Sequence, residues 1–124
     1  MTPYASAKGL AFWRKPENSD KEHLHFVISE TDVDGYVLIV NVTSFCSDES
    51  CVLDTADHPS IKHRSFVFYQ ESFEEKLSEI LTKTLGSHYR RVESLTQETL
   101  KRIQDGARHS AIFPRKFKKH FANF

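Results

Sequence analysis

No stretch of this 124-residue chain approaches the roughly 18–20 consecutive apolar residues that span a bilayer. Its first 16 residues also lack an apolar stretch shaped like a secretory signal, so we expect a cytoplasmic protein without a membrane anchor. Cysteine is scarce: only Cys46 and Cys51 are present, and a cytoplasmic location predicts thiols rather than a disulfide. Internal repeats and low-complexity segments are missing too, and the length suits one domain.

The chain has no net charge, because its 17 Lys and Arg residues balance 17 Asp and Glu residues. The two halves nevertheless differ. Residues 1–62 contain 5 basic and 10 acidic residues, whereas residues 63–124 contain 12 basic and 7 acidic ones. A basic tail with interspersed aromatic residues can contact phosphate or an acidic protein, although a solvated helix face is the simpler explanation of charge alone.

The first half of the chain shows the pattern of β-strands. Ten Phe and a hydrophobic fraction of 39% argue against a wholly disordered chain. Residues 23–29 alternate between apolar and other side chains, and residues 36–44 are dense in β-branched residues. A polar loop that closes on Asp-Gly joins them, which predicts a hairpin. Residues 64–70 return to strand character.

The second half shows the pattern of helices. Ser72 and Ser94 each begin a capping-box pattern ahead of apolar residues at helical spacing, and Gly86 offers a stop for the first helix. A third helix could begin at Pro114. Strands followed by helices predict an α+β fold: a small, strongly bent antiparallel sheet with C-terminal helices. We expect one domain over residues 1–124, with an N-terminal segment (1–22), a β core (23–70) and a helical part (72–124).

The predicted hairpin carries a family resemblance. Residues 23–29 (HLHFVIS), a short polar loop, and residues 35–44 (GYVLIVNVTS) resemble the hairpin of PemK/MazF-like toxins. The later SFVFY strand of residues 65–69 is similar to their return strand. The resemblance implies a small β-barrel of the Src-homology-3-like type followed by the helices. It also implies a toxin-type endoribonuclease that cleaves single-stranded RNA without a metal or other cofactor, is usually a homodimer, and is neutralised by an antitoxin protein.

Two functional positions of that family can be placed on this sequence. The threonine at the end of the family's second strand corresponds to Thr43, which matches it. The family's catalytic arginine at the start of the first strand corresponds to His23, and the proline after it to Leu24. Histidine can act as a general base or acid near neutral pH, so we predict a catalytic role for His23. The resemblance implies a catalytic role for Thr43 as well.

The segment 57–65 (DHPSIKHRS) contains the highest density of chemically active side chains. It combines two imidazoles, two cations and two hydroxyls on a predicted loop, where functional residues commonly lie. If the loop folds over the hairpin, its side chains converge with His23 and Thr43 on one phosphate. We predict that His58 and His63 are further catalytic residues, and that Lys62, Arg64 and Ser44 bind the substrate.

Three alternatives remain open at this point. The same fold could be a non-catalytic module that binds RNA or a protein. A zinc site could form from the strand and loop histidines with Asp57, Cys46 and Cys51, although a closed ligand set is missing. The aromatic residues Phe113, Phe117 and Phe121 fall four apart among Lys and Arg; they could stack on bases, but their spacing favours packing against the core.

Overall fold

A mixed α+β fold with an antiparallel sheet and C-terminal helices is what the computed structural model describes, over residues 7–17 and 19–124. This confirms the predicted α+β class, an antiparallel sheet with C-terminal helices. The strands are β1 (Ala11–Arg14), β2 (His23–Val27), β3 (Tyr36–Thr43), β4 (Val52–Leu53), β5 (Ser65–Val67), β6 (Phe73–Lys76) and β7 (Arg90–Val92). The α-helices are α1 (Leu77–Leu85) and α2 (Gln97–His109), and two 3₁₀ helices cover Tyr69–Glu71 and Arg115–Asn123.

The strands pair in the order β4-β5-β3-β2-β1-β7, and β6 pairs with the first half of β3. All pairs are antiparallel, and the predicted hairpin is confirmed, since His25 lies opposite Asn41 across β2 and β3. Among the described residues, β4 and β7 do not pair with each other, so the sheet is not closed into a barrel. No helix within residues 7–17 and 19–124 has the length and apolar character to cross a membrane.

The two faces of the sheet bury two separate apolar clusters, because neighbouring side chains on a strand point to opposite faces. Phe26, Leu38 and Val40 pack on one face with residues of α2 and with Phe113. Phe12 and Ile39 pack on the other face with Ile80 of α1. The hairpin therefore supplies both clusters, and its central strands are buried on both sides.

At Gly106 the helix α2 lies very close to Tyr69 and to the segment that precedes β4. A Cβ atom at this position would lie 2.9 Å from the Cβ of Cys51 and closer still to the hydroxyl of Tyr69. That hydroxyl donates a hydrogen bond of 2.7 Å to the carbonyl oxygen of Ile103. Only glycine permits this approach, because any larger side chain would overlap with its neighbours.

Four of the seven strands, β1, β4, β6 and β7, lie outside the segments predicted to be strands, and two of them lie side by side at one edge of the sheet. Residues 11–14 form β1 beside β2, within the N-terminal segment (1–22) for which the sequence predicts no strand. Arg90–Val92 form β7 on the outer side of β1, within the part predicted to be helical. Both are short, and their apolar alternation covers too few residues to stand out from a loop.

The predicted helix starts at Ser72 and Ser94 are wrong. Phe73–Lys76 instead pairs with residues 36–39 of β3, so α1 begins at Leu77, although it ends before Gly86 as predicted. The sheet ladder offers these residues four cross-strand partners, and this outweighs a local capping signal. In α2 the cap is Thr96, whose side chain accepts from the backbone N–H of Thr99 at 3.2 Å.

The third predicted helix is a 3₁₀ helix that follows Pro114. Phe117 and Phe121 pack against the larger apolar cluster, which confirms their predicted packing role. Between them, His120 is fully buried. The N-terminal, middle and C-terminal segments of the chain therefore all contribute to one sheet and its two clusters.

Candidate functional site

A cleft of about 420 Å³ lies at the end of the sheet where β1 ends, β2 begins and β3 ends. The loop before β5 forms its other wall. We call this space the cleft throughout. Five predicted site residues line it, and they come from segments far apart in the sequence: His23, Thr43, Ser44, Lys62 and His63.

His23 is the first residue of β2 and is half-buried. Its Nδ1 lies 3.5 Å from the carbonyl oxygen of Val42 on β3, at the upper limit of a hydrogen bond. Because a carbonyl can only accept, this contact favours the proton on Nδ1 and leaves a lone pair on Nε2. An imidazole in that form can accept a proton from a bound hydroxyl.

Thr43 and Ser44 bring two hydroxyl groups to the last residues of β3. The hydroxyl of Thr43, at which β3 ends, is 3.3 Å from the carbonyl oxygen of Phe45 and 3.4 Å from its backbone nitrogen. Ser44 Oγ lies 3.0 Å from Nε2 of His63. That distance connects the end of the hairpin to the 57–65 loop, so the two predicted groups of site residues meet directly.

Lys62 brings a positive charge to the same wall. Its Nζ donates to the carbonyl oxygen of Pro59 at 2.8 Å, and the side chain is exposed. Lys21 also lines the cleft, whereas the one carboxylate in the lining, that of Glu22, pairs with Arg90 at 2.8 Å. The two lysines are therefore not neutralised by Glu22, and the cleft favours an anionic ligand.

The structure does not bring His58 into the cleft. His58 is buried; its Nε2 donates to the carbonyl oxygen of Glu93, and its Nδ1 accepts from the backbone N–H of Ser60 at 3.0 Å. Both ring nitrogens are therefore used inside the protein, so the geometry gives His58 the task of holding the loop that carries Lys62 and His63. The same loop is tied to α2, because Arg102 pairs with Asp57 at 2.6 Å.

Arg64 also lies outside the cleft. Its guanidinium lies 3.5 Å from a carboxylate oxygen of Glu49 and over the ring of Phe66, and both charged groups are exposed. A guanidinium in this position could contact a long ligand only after leaving those partners. Among the predicted substrate-binding residues, the structure therefore places Lys62 and Ser44 at the cleft and Arg64 beside it.

Two aromatic residues of the cleft were not predicted as site residues. Trp13, the third residue of β1, forms part of the lining and is half-buried. Phe45 follows Ser44 directly, and 90% of its surface is exposed. A large apolar ring that is exposed beside two hydroxyl groups can indicate a binding site. The sequence shows that Phe45 is present, but only the structure shows that its ring is exposed.

The residues weighed as zinc ligands are not gathered into a site. Within residues 7–17 and 19–124, one group of three possible ligands lies within 4.8 Å: Asp32, Glu74 and His120. These residues lie around the β2–β3 loop, at the end of the hairpin opposite to His23 and the cleft. The ammonium of Lys119 lies 3.3 Å from a carboxylate oxygen of Glu74 and 3.9 Å from one of Asp32. Both carboxylates are therefore paired with a positive charge of the protein.

Comparison with known proteins adds no relative to this description. The chain matches no protein-family model, no curated protein and no solved structure. The functional inference therefore depends on the geometry of the cleft and on the family resemblance of the hairpin.

Proposed function

We propose that this protein is a PemK/MazF-like toxin-type endoribonuclease that cleaves single-stranded RNA by metal-independent acid–base catalysis. The observation that carries the proposal is the convergence of His23, Thr43, Ser44, Lys62 and His63 on one cleft. Two imidazoles, two hydroxyls and an ammonium are the groups that such a reaction needs.

The proposed reaction begins with attack by the 2′-hydroxyl of the substrate on the adjacent phosphorus. His23, whose Nε2 has a lone pair, accepts the 2′-hydroxyl proton as the new P–O bond forms. The bond to the 5′-oxygen breaks, and His63, when protonated, donates a proton to that leaving oxygen. The products are a 2′,3′-cyclic phosphate and a free 5′-hydroxyl, so no cofactor is consumed.

Lys62, Thr43 and Ser44 act on the phosphate in this proposal. An ammonium and two hydroxyl donors can stabilise the charge that develops on the non-bridging oxygens. Ser44 also positions His63 through the 3.0 Å contact between Oγ and Nε2. The rings of Trp13 and Phe45 favour a single-stranded ligand, because unpaired bases can stack on exposed aromatic faces.

Further elements of the proposal follow from the family resemblance. The open, bent sheet is interpreted as a distant form of the Src-homology-3-like barrel. A homodimer, a neutralising antitoxin protein and a cytoplasmic location belong to the same proposal. Expression of the protein alone should arrest growth of a bacterial host, and co-expression of a bound antitoxin should relieve the arrest.

The direct test is cleavage of an unstructured RNA by the purified protein in excess chelator. We expect cutting to persist, and we expect His23→Ala and His63→Ala each to slow it by about 10²–10⁴-fold, the usual contribution of a positioned acid or base. His88→Ala is the matched control, since His88 is exposed and is not part of the cleft lining. Unchanged cutting by both cleft variants would refute the assignment of acid and base.

The alternative function, a non-catalytic module that binds RNA or a protein, has a specific observation in its favour: histidine stands where the family has its catalytic arginine. The same assay separates the two. RNA that is bound by the cleft but stays intact, together with normal growth on expression, would establish binding without catalysis.

A further inference from the structure

A second polar cavity lies beside the cleft, on the face of the sheet that α1 covers. Its volume is about 370 Å³, and its lining includes Arg14, His25, Asn41, Gln70, Glu71 and Phe73. We call it the polar cavity. His25 and Asn41 are direct partners across β2 and β3, and the ring of His25 stacks on that of Phe12, which belongs to the α1-side cluster.

Asn41 brings an unsatisfied polar group to this cavity. The residue is 4% exposed, and its Oδ1 is buried without a hydrogen-bond partner among the described residues. Buried amide groups are almost always hydrogen-bonded, so an orphaned amide oxygen in the lining of a cavity needs an explanation, and a bound molecule is one. Asn41 therefore gives the lining of this cavity an acceptor that no other group of the described residues uses.

His25 supplies a fixed hydrogen-bond acceptor. Its Nδ1 lies 2.7 Å from the carbonyl oxygen of His23, so Nδ1 carries the proton and Nε2 is left with a lone pair. Burial lowers the pKa of His25 to about 4, which keeps the ring neutral at physiological pH. The ring of Phe73 meets it edge-on at 5.9 Å between centroids and fixes its orientation.

Arg14 supplies a cation without a carboxylate partner. Its guanidinium lies over the ring of Phe73, 4.8 Å from the centroid. Within residues 7–17 and 19–124 no carboxylate lies within 4 Å of it, including that of Glu71, which lines the same cavity. A half-buried guanidinium that rests on an aromatic ring is ready to bind a phosphate, with which it can form two parallel hydrogen bonds. Gln70, which is exposed at the cavity, adds an amide that can both donate and accept.

The cavity adjoins the cleft through the sheet register. Arg14 lies directly opposite His23 across β1 and β2, and residues paired in this way point to the same face. His23 lines the cleft and Arg14 lines the cavity, so a chain that crosses this end of the sheet would pass from one to the other.

We propose that the polar cavity binds one nucleotide of the RNA, with its base against His25, Asn41 and Gln70 and its phosphate on Arg14. The site deepens the proposed function, on which it rests, because it would select the nucleotide next to the cleaved bond. The base offers an N–H to Nε2 of His25 and a polar edge to the two amides. The aromatic ring of Phe73 borders the same space.

The experiment uses the intact protein with ¹⁵N-labelled histidine and needs no catalytic activity. Each of the four ribonucleoside 5′-monophosphates, ribose 5-phosphate and inorganic phosphate is titrated while the Nε2 resonance of His25 is followed by NMR. We expect the resonance to move with at least one nucleotide and to stay in place with ribose 5-phosphate and phosphate. An equal response to ribose 5-phosphate, or no response to any nucleotide, would overturn the proposal.

Variants at the rim give a second readout that does not disturb the buried groups. Gln70→Ala should weaken binding of the preferred nucleotide by about fivefold, the effect of one lost hydrogen bond, whereas Gln97→Ala, at the exposed start of α2, should not. The wild type should bind the nucleotide more tightly than its nucleoside, and Arg14→Gln should remove that preference. A preference that survives in Arg14→Gln would contradict the phosphate assignment.

The two proposals can fail separately. RNA that is cut while no nucleotide moves the His25 resonance would refute the cavity proposal alone. A His25 resonance that responds to nucleotides while RNA stays intact would refute the nuclease and leave a nucleotide-binding site.

Discussion

The two ends of the β2–β3 hairpin both carry polar side chains, but these differ in how many partners they have within the protein. At the loop end, Glu74 accepts from His120 at 2.8 Å and lies 3.3 Å from the ammonium of Lys119. Asp32 accepts there from the backbone N–H groups of Asp34 and Tyr36. At the cleft end, as far as residues 7–17 and 19–124 show, His63 has a serine hydroxyl as its one partner and Lys62 a carbonyl oxygen.

The pKa values at the loop end report these internal partners. The hydrogen bond from the backbone N–H of Tyr36 is the main cause that lowers the pKa of Asp32. Partial burial opposes ionisation of Glu74, but hydrogen bonds from His120 and Lys119 outweigh it and lower its pKa. Nδ1 of His120 is buried without a partner among the described residues, so not every polar atom at the loop end is satisfied. The difference between the ends teaches that charged groups paired with one another within the chain support the fold, whereas exposed polar groups with few internal partners are free for a ligand.

The largest expected change in stability comes from the loop end. His120→Ala should reduce the free energy of unfolding by about 3 kcal/mol, because it removes a fully buried ring together with its bond to Glu74. Urea denaturation measures the change. His109→Ala, at an exposed position, should stay within about 0.5 kcal/mol of the wild type. A small effect of His120→Ala would remove the distinction between the two ends.

Acid should destabilise the fold through His25, which belongs to neither end. Burial lowers the pKa of His25 to about 4 in the folded protein, against 6.5 for the ordinary side chain. The unfolded chain therefore binds the proton first, so stability is fully present above pH 6.5 and is lost as the pH falls toward 4. The loss from this group is about 3 kcal/mol at most. Unfolding measured from pH 7 to 4 should fall less steeply in His25→Gln than in the wild type, and equal slopes would contradict the assignment.

At the cleft end, Phe45→Ala should weaken binding of a non-cleavable RNA analogue without a loss of stability. The ring is 90% exposed, so its removal opens no cavity, but a stacked base would lose about 1–3 kcal/mol. Fluorescence anisotropy measures the affinity, and Phe45→Tyr should retain most of it. Leu85→Ala, which removes an equally exposed apolar side chain from α1, serves as the control. Unchanged affinity in Phe45→Ala would exclude stacking on this ring.

The smallest expected effect is electrostatic. Lys62→Ala should weaken the same binding by about fivefold at low salt and reduce the slope of log affinity against log salt by about 1, as one lost phosphate contact does. Lys118→Ala, at an exposed position that does not line the cleft, should leave the slope unchanged. Equal slopes for the wild type and Lys62→Ala would place the phosphate elsewhere.

The sequence contains clear signals for the parts of the fold that depend on local pattern. The alternation of residues 23–29 and the β-branched run of residues 36–44 predict the hairpin because both properties lie within each strand. Residues 73–76 read as the first turn of a helix, yet they form β6, because their partners lie some forty residues earlier in the chain. Pairing with a distant strand is a property that no local window contains.

For the candidate site, too, local sequence pattern predicts some features, and others depend on residues that are distant in the chain. The density of polar groups in residues 57–65 marks the loop, but density does not distinguish the inward ring of His58 from the outward ring of His63. The ring of His58 points inward because it donates a hydrogen bond to the carbonyl oxygen of Glu93, a residue that follows β7 in the chain. Thr43 is predicted from the family resemblance and lines the cleft, whereas Arg14 is linked to His23 only through β1, a strand that the sequence does not predict.

Gly106 has a consequence far from its own helix. A methyl group there would push α2 outward, and α2 holds Asp57 through Arg102, at the beginning of the loop that carries Lys62 and His63. Gly106→Ala would thus shift the loop relative to His23 while leaving every cleft residue chemically intact. The absence of a side chain at Gly106 therefore helps to set the distance between His23 and His63 from a helix that does not line the cleft.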